Sequence, residues 1–289
     1  MRTFLSALLL CLLLASCSKH SDTNTDNQDA ITKLYSSELK DTFSLFVHLP
    51  EGYDQHKETF YPVVYLLDAN LYFEVMAATF KKYSEVGLLA PAILVGIGYK
   101  DFRTMDSLRS RDYTFPAAKD ETLSGKGDKF LSFITKDIVP YVDAHYRANI
   151  KNRVLMGHSL GGYFTLYALH DAFVHKTNAF SSYIAASPSL DYEHNYLMYE
   201  FEKLSPEQQS PAKVYITFGG LEDAEEAAED GAPDSTRLTC QERLAWCTAS
   251  VKTQPGVHCR GDMYSNLGHM DTQLPTFIRG LQWALNMTE

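Results

Sequence analysis

Short apolar runs alternate with longer amphipathic stretches, and this alternation constrains the fold more than any other feature of the chain. A continuous apolar run of four to eight residues is typical of a strand that is buried on both faces. We predict strands over residues 42–49, 62–67, 92–97, 153–156, 183–186, 214–218 and 257–264. We predict helices over residues 71–83, 128–146, 160–170, 235–253 and 272–287. This alternation favours an α/β fold with a mostly parallel, doubly wound sheet and helices on both faces.

A single domain is expected between residues 31 and 289. No linker rich in Pro, Gly or Ser interrupts this range, and a chain of 289 residues can bury a large core. The least regular segments are residues 100–127 and 221–235. The second segment is strongly acidic, with the sequence LEDAEEAAEDGAPDS. We predict that it is a solvated loop, and a cation-binding role is the alternative.

The N-terminal residues have the pattern of an export signal. Residues 1–16 are a signal peptide by this prediction, because a basic start precedes an apolar run too short to span a membrane. Small residues before Cys17 resemble the bacterial lipobox, which implies cleavage there and lipidation of Cys17. An ordinary secreted protein is the alternative. The polar residues 17–30 are expected to form a flexible tether between lipid and domain.

The predicted location is the bacterial cell envelope, with the chain held by its lipid. Ser18, rather than Asp, follows the cysteine. In the lipoprotein sorting pattern, this residue favours the outer membrane. The sequence leaves open which face of that membrane the protein occupies.

An acidic composition limits the partners that the chain can bind. Lys and Arg number 26 against 36 Asp and Glu, which gives a formal net charge of −10. Without a run of basic residues, the chain is a poor candidate for binding nucleic acid. No CxxC pair occurs, so a zinc knuckle is not supported. We expect no metal or organic cofactor.

Three cysteines remain in the predicted domain once the signal peptide and Cys17 are set aside. Cys240 and Cys247 are seven residues apart on a predicted helix. This spacing gives a rise of roughly 10 Å, which is too long for a disulfide within one helix. A bond from Cys259 to either of them is geometrically easier, and the sequence leaves the pairing open.

A GxSxG motif joins the predicted strand 153–156 to the predicted helix 160–170. Its residues are Gly157, His158, Ser159, Leu160 and Gly161. A strand, a tight turn and a helix are the context in which this motif presents a serine hydroxyl above a sheet. We predict that Ser159 is a nucleophile. The backbone N–H of Leu160, at a helix N-terminus, is the expected donor to an oxyanion.

A serine nucleophile needs a base within hydrogen-bond reach, and histidine is the usual one. His269 lies after the last predicted strand and before the last predicted helix. In enzymes whose GxSxG serine lies in such a strand–turn–helix motif, the base follows the nucleophile and the acid in chain order, and His269 satisfies this order. We predict His269 as the base, and His258 on the preceding strand is the alternative.

Several segments of the chain resemble the esterase D-like family of α/β hydrolases, which is also named the putative-esterase family. These segments are GHSLGGYFTLYAL from Gly157, FSSYIAASPSL from Phe180, YPVVYLLD from Tyr61 and RSRDYT from Arg109. The resemblance covers about residues 32–285 and is closest in layout to the ferri-siderophore esterase branch. It implies an α/β-hydrolase fold and a serine carboxylesterase that works through an acyl-enzyme.

The resemblance also implies where the acid lies. Family members place it about three residues after the glycine that ends a strand. Counting from Gly219 selects Glu222, and counting from Gly220 selects Asp223. We favour Glu222. The resemblance to this branch also implies that catalysis by a Ser–His dyad is possible, because some relatives work in that way. A dyad therefore remains an alternative to a triad.

A second oxyanion donor is implied in the loop after the predicted strand 62–67. Relatives have the pattern L-D-G-x there, whereas this chain has Leu67, Asp68, Ala69 and Asn70. The expected donor is the backbone N–H of Asn70. Because Ala69 stands in place of a glycine, we expect the dihedral angles of this loop to differ from those of the relatives.

Arg111 is a candidate for substrate binding in the segment that resembles the R-x-R-D pattern. Two interpretations of Arg111 remain open. Its guanidinium binds an anionic or catecholate part of a substrate, or it pairs with a carboxylate and holds the loop in place.

The expected substrate is a small-molecule or glycan-linked ester, for example a siderophore-type ester or an acyl or feruloyl ester on a polysaccharide. Two alternatives are transfer of the acyl group to an alcohol and a surface lipoprotein that binds without catalysis. The presence of Ser159 and His269 argues against binding alone. Fold class does not select the ester.

Overall fold

The computed structural model describes residues 30–119, 121–206, 211–229 and 237–285. The predicted signal peptide, and all of the predicted tether except Ala30, lie outside these residues. Within them, eight strands form one sheet. The strands are β1 (Ala30–Ser36), β2 (Asp41–His48), β3 (Tyr61–Leu66), β4 (Ile93–Gly98), β5 (Ala148–His158), β6 (Ser182–Ala186), β7 (Ala212–Gly219) and β8 (Val257–Tyr264).

The strand order is β1-β2-β4-β3-β5-β6-β7-β8. β1 and β2 are antiparallel, and so are β2 and β4. The other neighbouring pairs are parallel, which confirms the prediction of a mostly parallel sheet. The chain winds outward from β3 in both directions, to β4 on one side and to β5 on the other. In such a sheet, a crevice opens at the carboxyl ends of the strands where the order reverses.

Helices cover both faces of this sheet. They are α1 (Ala69–Glu85), α2 (Phe102–Tyr113), α3 (Gly127–Phe133), α4 (Val139–His145), α5 (Leu160–His175), α6 (Tyr192–Glu202), α7 (Glu222–Glu229), α8 (Cys240–Lys252) and α9 (Gln273–Leu285). A π-helical turn, Ile134–Ile138, joins α3 to α4, so the predicted helix 128–146 is continuous but irregular.

The two apolar cores explain why the predicted strands are continuous apolar runs. In β3, Val64 and Leu66 pack with α1 and α9 on one face of the sheet. Val63 and Tyr65 pack on the other face, in the core that includes α3, α5 and α8. Because side chains alternate across a strand, a strand that is covered on both faces needs apolar residues at every position.

The acidic segment after β7 departs from its prediction. Part of it, Glu222–Glu229, forms α7 instead of a solvated loop. Carboxylates suit the first turn of a helix, because the helix N-terminus carries partial positive charge. Arg243 on α8 also pairs with Glu226 at 3.1 Å. The prediction of a solvated loop is wrong here because it left out basic partners further along the chain.

Three further elements, β1, α2 and α6, were not predicted. α2 begins with a cap that is visible in the sequence, since the side chain of Asp101 accepts from the backbone N–H of Thr104 at 2.8 Å. β1 is an edge strand on which Ile31 and Tyr35 are exposed, so no continuous apolar run marks it.

The three cysteines of the predicted domain are free thiols. Burial raises the pKa of each, which keeps the thiols protonated and unreactive. Neither of the disulfides considered from the sequence is formed. Among the described residues, no helix is long and apolar enough to cross a membrane. The same residues contain no cluster of three His, Cys, Asp or Glu side chains that could hold a metal ion.

Candidate active site

Ser159 lies in the sharp turn between β5 and α5. Its backbone has φ 59° and ψ −121°, a strained conformation that lifts the side chain out of the sheet. The N–H of Ser159 donates to the carbonyl of Ala186 on β6 at 3.0 Å. A side chain at Gly157 would overlap the backbone carbonyl of Gly161, so this turn requires glycine there. The GxSxG motif therefore forms the nucleophile-elbow geometry.

Two helices begin at this edge of the sheet, and their first residues include the two predicted oxyanion donors. Leu160 is the first residue of α5, and Asn70 is the second residue of α1. N–H groups in the first turn of a helix have no acceptor within that helix, and the helix dipole favours an anion beside them. Because β3 pairs with β5 in parallel, both N-termini lie at the same edge. The side chain of Asn70 is held by the backbone of Tyr99, with bonds of 2.7 and 3.1 Å.

The replacement of glycine by Ala69 does not place an unfavourable dihedral angle on this residue. The positive φ of the loop, 52°, falls on Asp68, while Ala69 is the first residue of the helix. Ala69 is buried close to Gly96 on β4, where a side chain on Gly96 would come within 2.7 Å of its Cβ. The left-handed conformation in this loop therefore falls on Asp68 and not on Ala69.

A buried ion pair ties this loop to the elbow. Arg109 on α2 donates to both carboxylate oxygens of Asp68, from Nε at 3.0 Å and from Nη2 at 2.8 Å. The same Nη2 also donates to the backbone carbonyl of His158 at 3.2 Å. Arg109 thus fixes the start of α1 relative to the residue that precedes Ser159.

Arg111 does not line the cavity beside His269. Its guanidinium forms two bonds with Asp112, at 2.7 and 2.9 Å, and one with Asp41 at 3.1 Å. Arg111 therefore pairs with carboxylates and holds α2 against β2, as the second of the two interpretations expected. The assignment of Arg111 to substrate binding is corrected, because its hydrogen-bonding groups face these two carboxylates.

His269 follows β8 and pairs with a buried carboxylate. Its Nδ1 lies 2.9 Å from Oε2 of Glu222, whose side chain is 2% exposed. The other oxygen, Oε1, accepts from the hydroxyl of Ser187 at 2.6 Å and from the N–H of Gly219. Three hydrogen bonds from three segments hold this carboxylate in one orientation.

The alternative acid and the alternative base lie elsewhere. Asp223 accepts from the backbone N–H of Cys240 at 2.8 Å and lies 3.8 Å from Arg243. His258 is exposed at the start of β8, opposite Lys213, and is therefore at the far end of the strand from the site. The structure thus brings Glu222, rather than Asp223, to His269.

The backbone of His269 is held as firmly as its ring. Glu225, one turn beyond Glu222 on α7, accepts the N–H of His269 at 2.8 Å. The carboxylate of Glu225 lies in the space that a side chain on Gly268 would occupy. On the other side, Nε2 of His158 lies 2.9 Å from the carbonyl of His269.

The hydrogen bonds of His158 define its protonation state. A carbonyl can only accept, so Nε2 of His158 carries the proton that it donates to His269. The hydroxyl of Tyr72 then donates to the unprotonated Nδ1 at 3.1 Å. Burial, and secondarily the neighbouring His269, lower the pKa of His158 to about 3. His158 is therefore neutral across the pH range in which esters are normally hydrolysed.

A cavity of about 820 Å³ opens beside His269. It is lined by Ser189, Asp191, Tyr192, Glu222, Glu225, Glu226, Arg237, His269, Met270 and Asp271. The hydroxyl of Ser159 lies 3.4 Å from that of Ser189. No hydrogen bond joins Ser159 to His269 in the described part of the chain, and this bond is often long in hydrolases without substrate.

Sequence reasoning missed four polar residues of this site. Arg109 and Ser187 occur in segments quoted for the family resemblance, but their partners are distant in sequence. Glu225 is three residues after Glu222, a spacing that places both on one helix face only once α7 is known to be helical. The sequence places His158 in the GxSxG motif next to Ser159 but does not indicate its contact with His269.

The low pKa of His158 makes folding stability depend on pH. The unfolded chain binds a proton at His158 below about pH 6.5, whereas the folded chain does so only below about pH 3. The free energy of unfolding should therefore fall as pH falls through this window, by up to about 1.4 kcal/mol per pH unit from this residue. His158→Gln should reduce this slope. Urea unfolding of the wild-type protein and of His158→Gln between about pH 5 and pH 7 measures this slope. Identical slopes in the two proteins would contradict the low pKa of His158.

Solved structures with the same architecture include two that align with most of this chain. The siderophore hydrolase EstB from Aspergillus nidulans has a TM-score of 0.76 at 21% identity, over 90% of this chain and 95% of that one. The BES protein from Bacillus cereus has a TM-score of 0.71 at 20% identity, over 99% of this chain and 100% of that one. The shared architecture is the α/β-hydrolase fold.

Sequence comparison gives the family. Residues 36–260 match the family described as "Putative esterase". The ferri-bacillibactin esterase BesA of Bacillus subtilis (strain 168) is 31% identical over 244 residues, which cover 78% of this chain and 79% of the relative. These matches favour neither acyl transfer nor binding without catalysis. The chain therefore belongs to the esterase family of α/β hydrolases, in its siderophore-esterase branch, and is a serine-dependent carboxylic ester hydrolase.

Proposed function

We propose that this esterase hydrolyses a siderophore-type ester and that Ser159, His269 and Glu222 are its catalytic triad. One observation carries the assignment of residues. His269 is paired with buried Glu222 at 2.9 Å, and its backbone carbonyl is bonded to His158, the residue next to Ser159. The pairing orients the imidazole, and the second contact ties its loop to the elbow.

The reaction follows from this arrangement in two halves. The oxygen of Ser159 bonds to the ester carbonyl carbon, and its proton passes to Nε2 of His269. The N–H groups of Leu160 and Asn70 stabilise the oxyanion. When the carbon–oxygen bond to the alcohol breaks, His269 returns the proton to the leaving oxygen. Water then attacks the acyl-enzyme by the same steps and releases the acid.

The substrate class rests on the relatives and on the size of the cavity. BesA is named for a ferri-siderophore, and EstB for siderophore hydrolysis. A cavity of about 820 Å³ lies within the range of about 300–1,000 Å³ that is usual for small-molecule sites. Both observations support a small-molecule ester over a polymer-bound one.

The identity of the nucleophile can be tested against its neighbouring hydroxyl. We expect Ser159→Ala to lower the hydrolysis of p-nitrophenyl butyrate by about 10⁴-fold or more. A fluorophosphonate probe should label the wild-type protein and Ser189→Ala at Ser159, but not Ser159→Ala. Mass spectrometry of the labelled peptide measures this. A label on Ser189, or turnover by Ser159→Ala at the wild-type rate, would reject the proposal.

The role of Glu222 can be separated from that of Asp223. In Glu222→Gln, the fixed N–H of Gly219 requires the amide oxygen, so the NH₂ group faces Nδ1 of His269. An NH₂ group there selects the ring tautomer with a proton on Nε2, which cannot accept the proton of Ser159. We expect kcat/KM to fall about 10³- to 10⁴-fold.

The matched control is Asp223→Asn, which does not touch His269 and should retain kcat/KM within about threefold. Steady-state kinetics of both variants with p-nitrophenyl butyrate decides the question. A rate near that of wild type in Glu222→Gln would instead support a Ser–His dyad.

We further propose that the mature chain is anchored in the bacterial envelope by lipid on Cys17. The support is the signal-like sequence 1–16 and the small residues before the cysteine. In bacteria fed an alkyne analogue of palmitate, the full-length chain should carry the label and sediment with membranes. Cys17→Ser should lose both properties, whereas Cys259→Ser should keep them. An unlabelled wild-type chain would contradict the proposal.

A further inference from the structure

The cavity beside His269 has a strongly acidic lining. Its carboxylic side chains are Asp191, Glu222, Glu225, Glu226 and Asp271, whereas Arg237 is the basic side chain that lines it in the described part of the chain. This cavity is a site on other grounds, because it holds His269 and the hydroxyl next to Ser159. The acidic lining bears on a separate question, namely which substrate charge the site accepts.

Two of these carboxylates are neutralised by arginine. Asp191 lies 2.6 Å from Arg237 and 3.3 Å from Arg243. Glu226 lies 3.3 Å from Arg237 and 3.1 Å from Arg243. These two acids and two arginines pair with one another, so together they add little net charge to the cavity.

Two other carboxylates lack such compensation. Glu225 accepts the backbone N–H of His269 at 2.8 Å, and Asp271 accepts that of Gly268 at 3.4 Å. Both side chains are on exposed residues, and no described Lys, Arg or His forms an ion pair with either. The remaining acid, Glu222, is committed to His269. Two uncompensated negative charges therefore flank the base on the wall of the cavity.

We propose that this site selects esters that are neutral or positively charged near the scissile bond and disfavours anionic ones. The inference rests on the proposed function, since it concerns the same nucleophile and base. A cleft lined by one sign of charge concentrates ligands of the opposite sign and repels those of its own. Among siderophore-type esters, the site would thus favour uncharged or cationic forms over polyanionic metal–catecholate complexes.

Three p-nitrophenyl esters of matched length test this selection. Their acyl groups are γ-trimethylammoniobutyrate, its uncharged tert-butyl isostere and glutarate, which carries a terminal carboxylate. At about 0.01 M salt, kcat/KM should fall in that order, with about a tenfold difference between the cation and the anion. At about 1 M salt, where the screening length shrinks from about 30 Å to about 3 Å, the difference should largely vanish.

Asp271→Asn isolates the contribution of the cavity wall. It removes one of two uncompensated charges, so the cation-to-anion ratio of kcat/KM should fall about threefold at low salt. The ratio is insensitive to any general damage to His269, because such damage slows all three esters alike. Glu58→Gln, an exposed carboxylate in the loop before β3 at the opposite edge of the sheet, should leave the ratio unchanged.

Two results would overturn the selection while leaving the esterase intact. The first is Ser159-dependent hydrolysis of the anionic ester at a rate equal to or above that of the cationic one at low salt. The second is a ratio that Asp271→Asn does not change. If none of the three esters is cleaved in a Ser159-dependent manner, the proposed function itself fails and the selection fails with it.

Discussion

One buried carboxylate joins the three loops on which this site depends. Glu222 binds Ser187 after β6, Gly219 at the end of β7 and His269 after β8. Because each loop follows a different strand, the carboxylate sets their relative positions at the carboxyl edge of the sheet. Asp223 cannot replace it, since the next residue of a helix points about 100° away around the axis.

The predictable parts of this molecule are those encoded by contiguous residues. Apolar runs predicted the parallel strands, and GxSxG between a strand and a helix predicted the elbow, because neither depends on distant partners. The acidic helix α7 escaped prediction because Arg243, which stabilises it, follows on another helix. Arg109 and Arg111 are two residues apart on α2, so they face different directions. Only the fold shows that the first meets Asp68 and the second Asp41.

The carboxylate side chains of α7 have two separate roles: some form structural contacts, and one also leaves negative charge at the cavity. Glu222 is buried and pairs with His269, whereas Glu226 and Asp223 lie close to Arg243 on α8, so these three charges are compensated locally. Glu225 instead binds the backbone of His269 from an exposed position, so its charge still acts on the cavity. Holding His269 with carboxylates therefore makes the cavity negative, and this is the basis of the proposed selection by substrate charge.

The neutrality of His158 completes this electrostatic arrangement. The ring centroids of His158 and His269 are 4.7 Å apart, and in the proposed reaction His269 carries a positive charge whenever it holds the proton of Ser159. A second imidazolium at that distance would oppose the transfer. Burial and the hydroxyl of Tyr72 hold His158 in its neutral tautomer, and so the loop of the base is anchored by a hydrogen bond that adds no charge. The histidine of the GxSxG motif can therefore support the reaction because it does not titrate with the base.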